Sequence, residues 1–243
     1  MNITLYFINW NDSFYIPFIA KWYGSFCNRI IMYDNHSTDD SVDIAKWLGF
    51  EVRTFGKPDV LDDREYLKIK NNCWKEEREK ADYVIVCDAD EFLYHHEILN
   101  YLEYRCPFFP KTTGYNMISN QLPKNNIFEI TTGTPDSQYC KSVIFEPNFV
   151  QEINFDFGCH RNFANVKETE SELLLLHYRY IGGVERLIER HKQYAARMSN
   201  YNKKLQLGFQ YLHSEEAKRK EFEYYETQSY NLKPLIYAKT NSL

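Results

Sequence analysis

No stretch of this 243-residue chain approaches the ~20 consecutive apolar residues that a membrane span requires; the run at 173–176 is long enough for a strand and no more. Cysteines paired at metal-binding or redox spacing are also missing. The six present (Cys27, Cys73, Cys87, Cys106, Cys140 and Cys159) are scattered, which argues against a zinc module or a disulfide framework. The opening Met1-Asn2-Ile3-Thr4 lacks the basic and then apolar pattern of a secretory leader, so the expectation is a cytoplasmic protein with reduced thiols. Repeats, linkers and low-complexity segments are absent as well. The chain therefore reads as one domain over residues 1–200, with a helical C-terminal extension over 201–243 packed on it.

What is present is ordinary in bulk and uneven in distribution. Charged residues make up 26% and hydrophobic ones 44%, as in soluble globular proteins. The net charge of −5 hides an asymmetry: residues 1–100 carry 11 Lys+Arg against 18 Asp+Glu, whereas residues 177–220 carry 10 against 4. A basic segment of that kind meets phosphates or anionic lipid. The tail from Tyr201 to Leu243 mixes Lys and Arg with Tyr, Phe and Leu, a mixture compatible with a peripheral membrane contact as well as with packing onto the body.

Val84-Ile85-Val86-Cys87 is a short apolar run of the kind covered on both faces in an α/β sheet, and it ends in Asp88-Ala89-Asp90-Glu91. Three carboxylates crowded at one strand end repel each other unless a cation joins them, and hard divalent cations prefer oxygen ligands. Upstream, strands are expected over 3–8, 29–33 and 51–55. Helices are expected over 13–23, through Val42, Ala45 and Leu48 to a C-cap at Gly49, and over 64–80. The alternation predicts an α/β fold, a mixed, mostly parallel sheet flanked by helices. Ligands of such sheets sit beyond the carboxyl ends of the strands, where Asp34 and Asp88 fall. After Asp90 the periodicity weakens under Pro107, Pro110, Gly114, Pro123, Gly133, Pro135 and Pro147. This half reads as irregular and more antiparallel, with strand pieces at 141–145 and 172–176, before helices after Gly182-Gly183 and over 214–225.

Asn11-Asp12, Asp34-Asn35-His36-Ser37-Thr38-Asp39, the helix over 64–73, Asp88-Ala89-Asp90-Glu91-Phe92 and His177-Tyr178-Arg179 occur in that order. Together they resemble the family-2-type glycosyltransferases with the GT-A (Rossmann-like) fold, above all the bacterial subgroup with DNxSTD and DxDEF segments. The likeness covers residues 3–95 and resumes around 141–195. It implies transfer of a hexosyl-type sugar from a nucleotide diphosphate sugar, a UDP-sugar first among them, to a glycan or lipid-linked acceptor. It further implies Mn²⁺ or Mg²⁺ as cofactor, inversion at the sugar, and a place in bacterial capsule or lipopolysaccharide synthesis, with no nucleic-acid partner.

The resemblance also implies roles. Residues 1–95 would bind the nucleotide sugar and 96–200 would face the acceptor. Asn9, Asn11 and Asp12 would lie against base and ribose, joined by Asp34 and Ser37, and Asp88 with Ala89 would face the ribose or a metal-bound water. Asp90, with Asp88 and His177, would bind the metal, and an imidazole in that shell favours Mn²⁺ over Mg²⁺. Arg179 and Arg186 would neutralise phosphate charge, as would Arg190. Arg64 and Lys70 would reach the sugar or phosphate from their helix.

The pattern departs from the family at the catalytic base, because no Glu-Asp pair follows the DxD region. The candidates are Asp136, Glu146, Asp156 and His160. Asp156, in Asn154-Phe155-Asp156-Phe157, comes first because aromatic neighbours raise a carboxyl pKa by desolvation, and His160 comes next. Two other readings stay open. A nucleotidyltransferase is disfavoured by Asn9-Trp10-Asn11-Asp12, which has neither glycine nor positive charge. A non-catalytic nucleotide- or sugar-binding protein of the same fold is disfavoured by the intact Asp88/Asp90 pair.

Overall fold

The computed structural model describes residues 1–237; the last six of the expected extension, 238–243, lie outside the described residues. The chain begins with β1 (Ile3–Asn9), α1 (Ile16–Tyr23), β2 (Arg29–Asp34), α2 (Ser41–Trp47), β3 (Glu51–Thr54), α3 (Asp63–Asn72) and β4 (Tyr83–Asp88). It continues through β5 (Glu91–Tyr94), α4 (Ile98–Tyr104), β6 (Pro110–Ser119), β7 (Thr132–Pro135), β8 (Ile144–Phe145) and β9 (Thr169–Ile181). It closes with α5 (Gly183–Arg197), α6 (Asn200–Leu205), α7 (Glu215–Gln228), β10 (Tyr230–Asn231) and α8 (Lys233–Ile236).

The first four strands are parallel in the order β3-β2-β1-β4, and β8 adds an antiparallel edge. Ile3, Leu5 and Phe7 of β1, with Ile85 and Cys87 of β4, pack under α1 and α2. Tyr6, Val84 and Val86 meet Trp74 and Phe145 on the opposite face. Both faces are covered, which is why β4 reads as an unbroken apolar run. The chain steps from β1 to β2 and β3 on one side, and β4 lies on the other. The topological switch point therefore falls between β1 and β4, where Ile8 pairs with Asp88.

Two expectations need correction. The helix expected over 64–80 stops at Asn72 and tightens into a 3₁₀ turn over Cys73–Glu77. Asn72 bonds back to the Lys68 carbonyl (2.8 Å), while Trp74 is drawn into the core edge-on to Phe145 (5.0 Å between ring centroids). Tertiary burial of one tryptophan outweighs the helical charge pattern around it.

The single expected sheet is two. β10, β7, β6, β9 and β5 form a second mixed sheet in that order, with β6 parallel to β9 and the remaining pairs antiparallel. β6 was hidden because it opens on Pro110, carries Gly114 and shifts register twice against β9. Gly114 is required there, since a Cβ would stand 2.3 Å from the Tyr139 backbone. Phe92, Leu93, Met117, Leu175 and Tyr178 fill the core shared with α1. On the far side, Leu187 of α5 and Phe222 of α7 cover Ile118 and Tyr180. Backbone bonds from Leu61 N–H to Arg197 O (2.7 Å) and from Ser199 N–H to Leu61 O (2.9 Å) fasten the end of α5 to the segment before α3. Among the described residues no helix is long and apolar enough to cross a membrane.

Candidate functional site

The switch point opens into a cleft of about 360 Å³. Trp10 and Asp12 after β1, Tyr66 and Lys70 of α3, and the Asp88-Ala89-Asp90-Glu91 link form one wall. His177 and Arg179 of β9, Arg186 and Arg190 of α5, and residues 206–211 form the other, with Gly158, Cys159 and His160 at one end.

The acidic link joins the two sheets, and its three carboxylates fan out to three different partners. Asp88 Oδ1 meets Lys70 Nζ (2.7 Å), Asp90 Oδ2 meets His177 Nε2 (3.3 Å), and Glu91 Oε1 meets Lys141 Nζ (2.7 Å). Burial opposes charge at Asp90, Glu91 and Lys70, but the partners win. His177 and Arg179 hold the Asp90 carboxyl well below the usual range, and Lys141 and Lys70 do the same for Glu91. Lys70 is likewise pushed well above the usual lysine range against its own burial, chiefly by Asp88.

Asp88, expected among the metal ligands, is turned onto Lys70. Among the described residues no group of three or more His, Cys, Asp and Glu is arranged to hold an ion. What remains is a two-donor site. His177 Nδ1 is engaged by Asn116 Oδ1 (2.7 Å), which leaves Nε2 facing the Asp90 carboxylate. One imidazole nitrogen and one carboxylate oxygen suit Mn²⁺ better than Mg²⁺, and they leave most coordination positions to the oxygens of a ligand.

The arginines divide in two. Arg190 pairs with Asp12 (2.8 Å) between the rings of Trp10 (4.9 Å) and Tyr194 (4.4 Å). Burial lifts Asp12 to about 6 even against Arg190, and Asp90 adds to the rise. Arg179 and Arg186 have no ion-pair partner among the described residues. Arg179 bonds to His191 Nε2, while Arg186 reaches the Ile181 carbonyl (3.2 Å) and Tyr15 Oη (3.5 Å). His191 is neutral, its pKa brought down to about 2 by burial and by Arg179.

Other sequence candidates lie elsewhere. Asn9, Asn11, Asp34 and Ser37 are brought together, but they bond to one another and do not line the cleft. Arg64 turns outward onto Asp62 (2.6 Å) and the Tyr201 ring (4.1 Å). Asp156 is held by Arg161 (3.0 Å), and Asp136 caps the 3₁₀ turn Ser137–Tyr139. Neither lines the cleft, nor does Glu146. Of the base candidates only His160 does. Its Nδ1 faces the Gln138 carbonyl (3.2 Å), and burial together with Lys141 lowers its pKa. Lys141, Asn116, His191, Tyr194 and Tyr211 escaped the sequence reading. No local pattern marks them, because strand pairing and the return of the tail bring them in.

No protein-family model matches the chain, and no curated protein matches it. Solved structures similar to it include glucosyl-3-phosphoglycerate synthase of Mycobacterium tuberculosis in complex with Mn²⁺, UDP and glucosyl-3-phosphoglycerate. That match has 15% identity and a TM-score of 0.34 over 47% of this chain and 44% of that one. The same enzyme with Mg²⁺ and UDP matches at 15% identity and a TM-score of 0.34, over 47% and 43% of the two chains. Each match spans less than half of the compared protein.

Proposed function

We propose that the protein is a metal-dependent glycosyltransferase that takes its sugar from a nucleotide diphosphate sugar. The observation that carries this reading is the charge layout at the switch point. Asp90 and His177 face each other beside Arg179 and Arg186, two arginines without a carboxylate partner among the described residues, so a diphosphate arriving with a divalent cation completes the site. When bound, Mn²⁺ or Mg²⁺ on Asp90 and His177 stabilises the charge of the departing nucleoside diphosphate. Arg179 and Arg186 hold the remaining phosphate charge. Trp10, Tyr66 and Tyr194 line the cleft, and Lys70 fixes the Asp88 carboxylate at its edge.

His160 is the base for the acceptor hydroxyl. A carbonyl only accepts, so the Gln138 carbonyl draws the proton to Nδ1 and leaves the Nε2 lone pair free. The finer reading rests on the sequence resemblance: UDP as the nucleotide, inversion, and a glycan or lipid-linked acceptor in cytoplasmic steps of surface-polysaccharide synthesis.

Thermal-shift screening against UDP, GDP, CDP and TDP, each with Mn²⁺ and with EDTA, tests the proposal. One nucleotide should raise the midpoint in Mn²⁺ and lose that effect in EDTA, because a ligand that binds only the folded state stabilises by mass action. Mn²⁺ alone should shift it little, since the protein supplies two donors. A flat response to every nucleotide overturns the reading.

A further inference from the structure

We infer that Asp136 is a positioning residue that sets the tautomer of His177 through Asn116 and holds the turn whose Gln138 carbonyl sets that of His160, turning Nε2 of both rings into the cleft. Two arms leave its carboxylate. Oδ2 accepts from Asn116 Nδ2 (2.6 Å), and Asn116 Oδ1 lies 2.7 Å from His177 Nδ1. Oδ1 accepts from the Gln138 N–H (2.9 Å), and the Gln138 carbonyl lies 3.2 Å from His160 Nδ1. A carboxylate only accepts, so Asn116 must turn its NH₂ toward Asp136 and its oxygen toward His177. That oxygen requires a proton on His177 Nδ1, as the carbonyl does on His160 Nδ1.

Between the arms Tyr139 stacks on His177 (4.1 Å, 21°) and stands edge-on to His160 (5.6 Å, 89°), which fixes the ring planes. Tyr225 of α7 also donates to Oδ2 (3.4 Å), so the tail contributes to the same anchor. His177 Nε2 then faces Asp90 Oδ2, and a proton or a metal ion must sit between the two acceptors. What the two Nε2 atoms do rests on the function proposed above; the tautomers themselves do not.

Asp136→Asn tests the inference. An amide at 136 cannot accept on both arms, so either Asn116 flips its NH₂ toward His177 or the turn loses its cap. Imidazole ¹⁵N NMR in alkaline buffer should find Nδ1–H on both histidines of the native protein and a shift toward Nε2–H on His177 in Asp136→Asn. Mn²⁺ affinity, measured by EPR with the nucleotide found in the thermal screen, should fall about 10–100-fold. Asn116→Ala cuts one arm only, so it should weaken Mn²⁺ and leave the His160 tautomer unchanged. Nε2–H on either histidine of the native protein overturns the inference, as do unchanged tautomers in Asp136→Asn. Native Nδ1–H without Mn²⁺·nucleotide binding upholds it while sinking the transferase reading.

Discussion

Asp34 closes β2 and Asp88 closes β4, two strands of the same parallel sheet flanking β1. Asp34 is 2% exposed and accepts from Asn9 Nδ2 (2.9 Å), the Ser37 N–H (2.9 Å) and the Ser37 hydroxyl (2.6 Å). Asn11, on the loop after β1, donates its N–H to the same hydroxyl (2.8 Å) and accepts from the Thr38 N–H (2.7 Å). Two loops are thereby locked together. Asp88 keeps 38% of its side chain exposed and faces a lysine, while Asp90 beside it faces an imidazole. The difference is topological. The crevice of an open α/β sheet forms where the strand order reverses, between β1 and β4, so the acids on that side are the ones the proposed ligand would meet. An acidic strand end elsewhere is free to satisfy backbone donors in its own turn.

Asp90→Ala should separate the two ends most sharply. Nucleoside diphosphate release from the donor should fall about 10³-fold, as when one charge-stabilising group is lost from a preorganised site. The thermal midpoint should hold; more than a tenth of native turnover would sink the assignment. Asp34→Ala should do the reverse. Three hydrogen bonds to a buried carboxylate vanish, at a cost of about 3 kcal/mol. In a chain of this size that lowers the midpoint by about 6–12 °C, with turnover per folded molecule near native. Lost turnover at an unchanged midpoint would return Asp34 to the ligand.

The contrast also shows what was legible. β1 and β4 were readable because each is buried along nearly its whole length, and the Asp88–Glu91 cluster because its residues are adjacent in sequence. His177 was found through its resemblance to a motif. Its partner Asn116 was not, because the bond between them spans 61 residues across a pairing of β6 with β9 that shifts register twice. Asp156 misled for a local reason, since Arg161, five residues on, competes with the aromatic neighbours for its carboxylate. Asp136 did leave a signal: an acid just before a turn is a natural cap. That pattern argues for support rather than catalysis.

The cationic wall of the cleft predicts an acid sensitivity. His191 stays neutral when folded down to about 2, whereas in the unfolded chain it takes up a proton near the ordinary histidine value of about 6.5. Between those values the unfolded state binds the extra proton, so stability falls as pH falls, by about 1.4 kcal/mol per unit at most. His191→Gln keeps an acceptor for Arg179 and removes the titration. Its urea midpoint should therefore vary less between about pH 6 and 4 than that of the native chain.

The smallest effect belongs to Arg64, which shares α3 with Lys70. Six residues at about 100° each place the two side chains some 240° apart around the helix, so one helix cannot send both to the same cleft. Lys70 is the one sent inward, 5% exposed against Asp88, while Arg64 stays on the rim with Asp62 and Tyr201. Arg64→Ala should leave the nucleotide-dependent thermal shift and the turnover at native values. Lys70→Ala should weaken both, because it frees Asp88 to compete for the cation proposed for Asp90 and His177. Equal losses in the two variants would mean that α3 rotates on ligand binding.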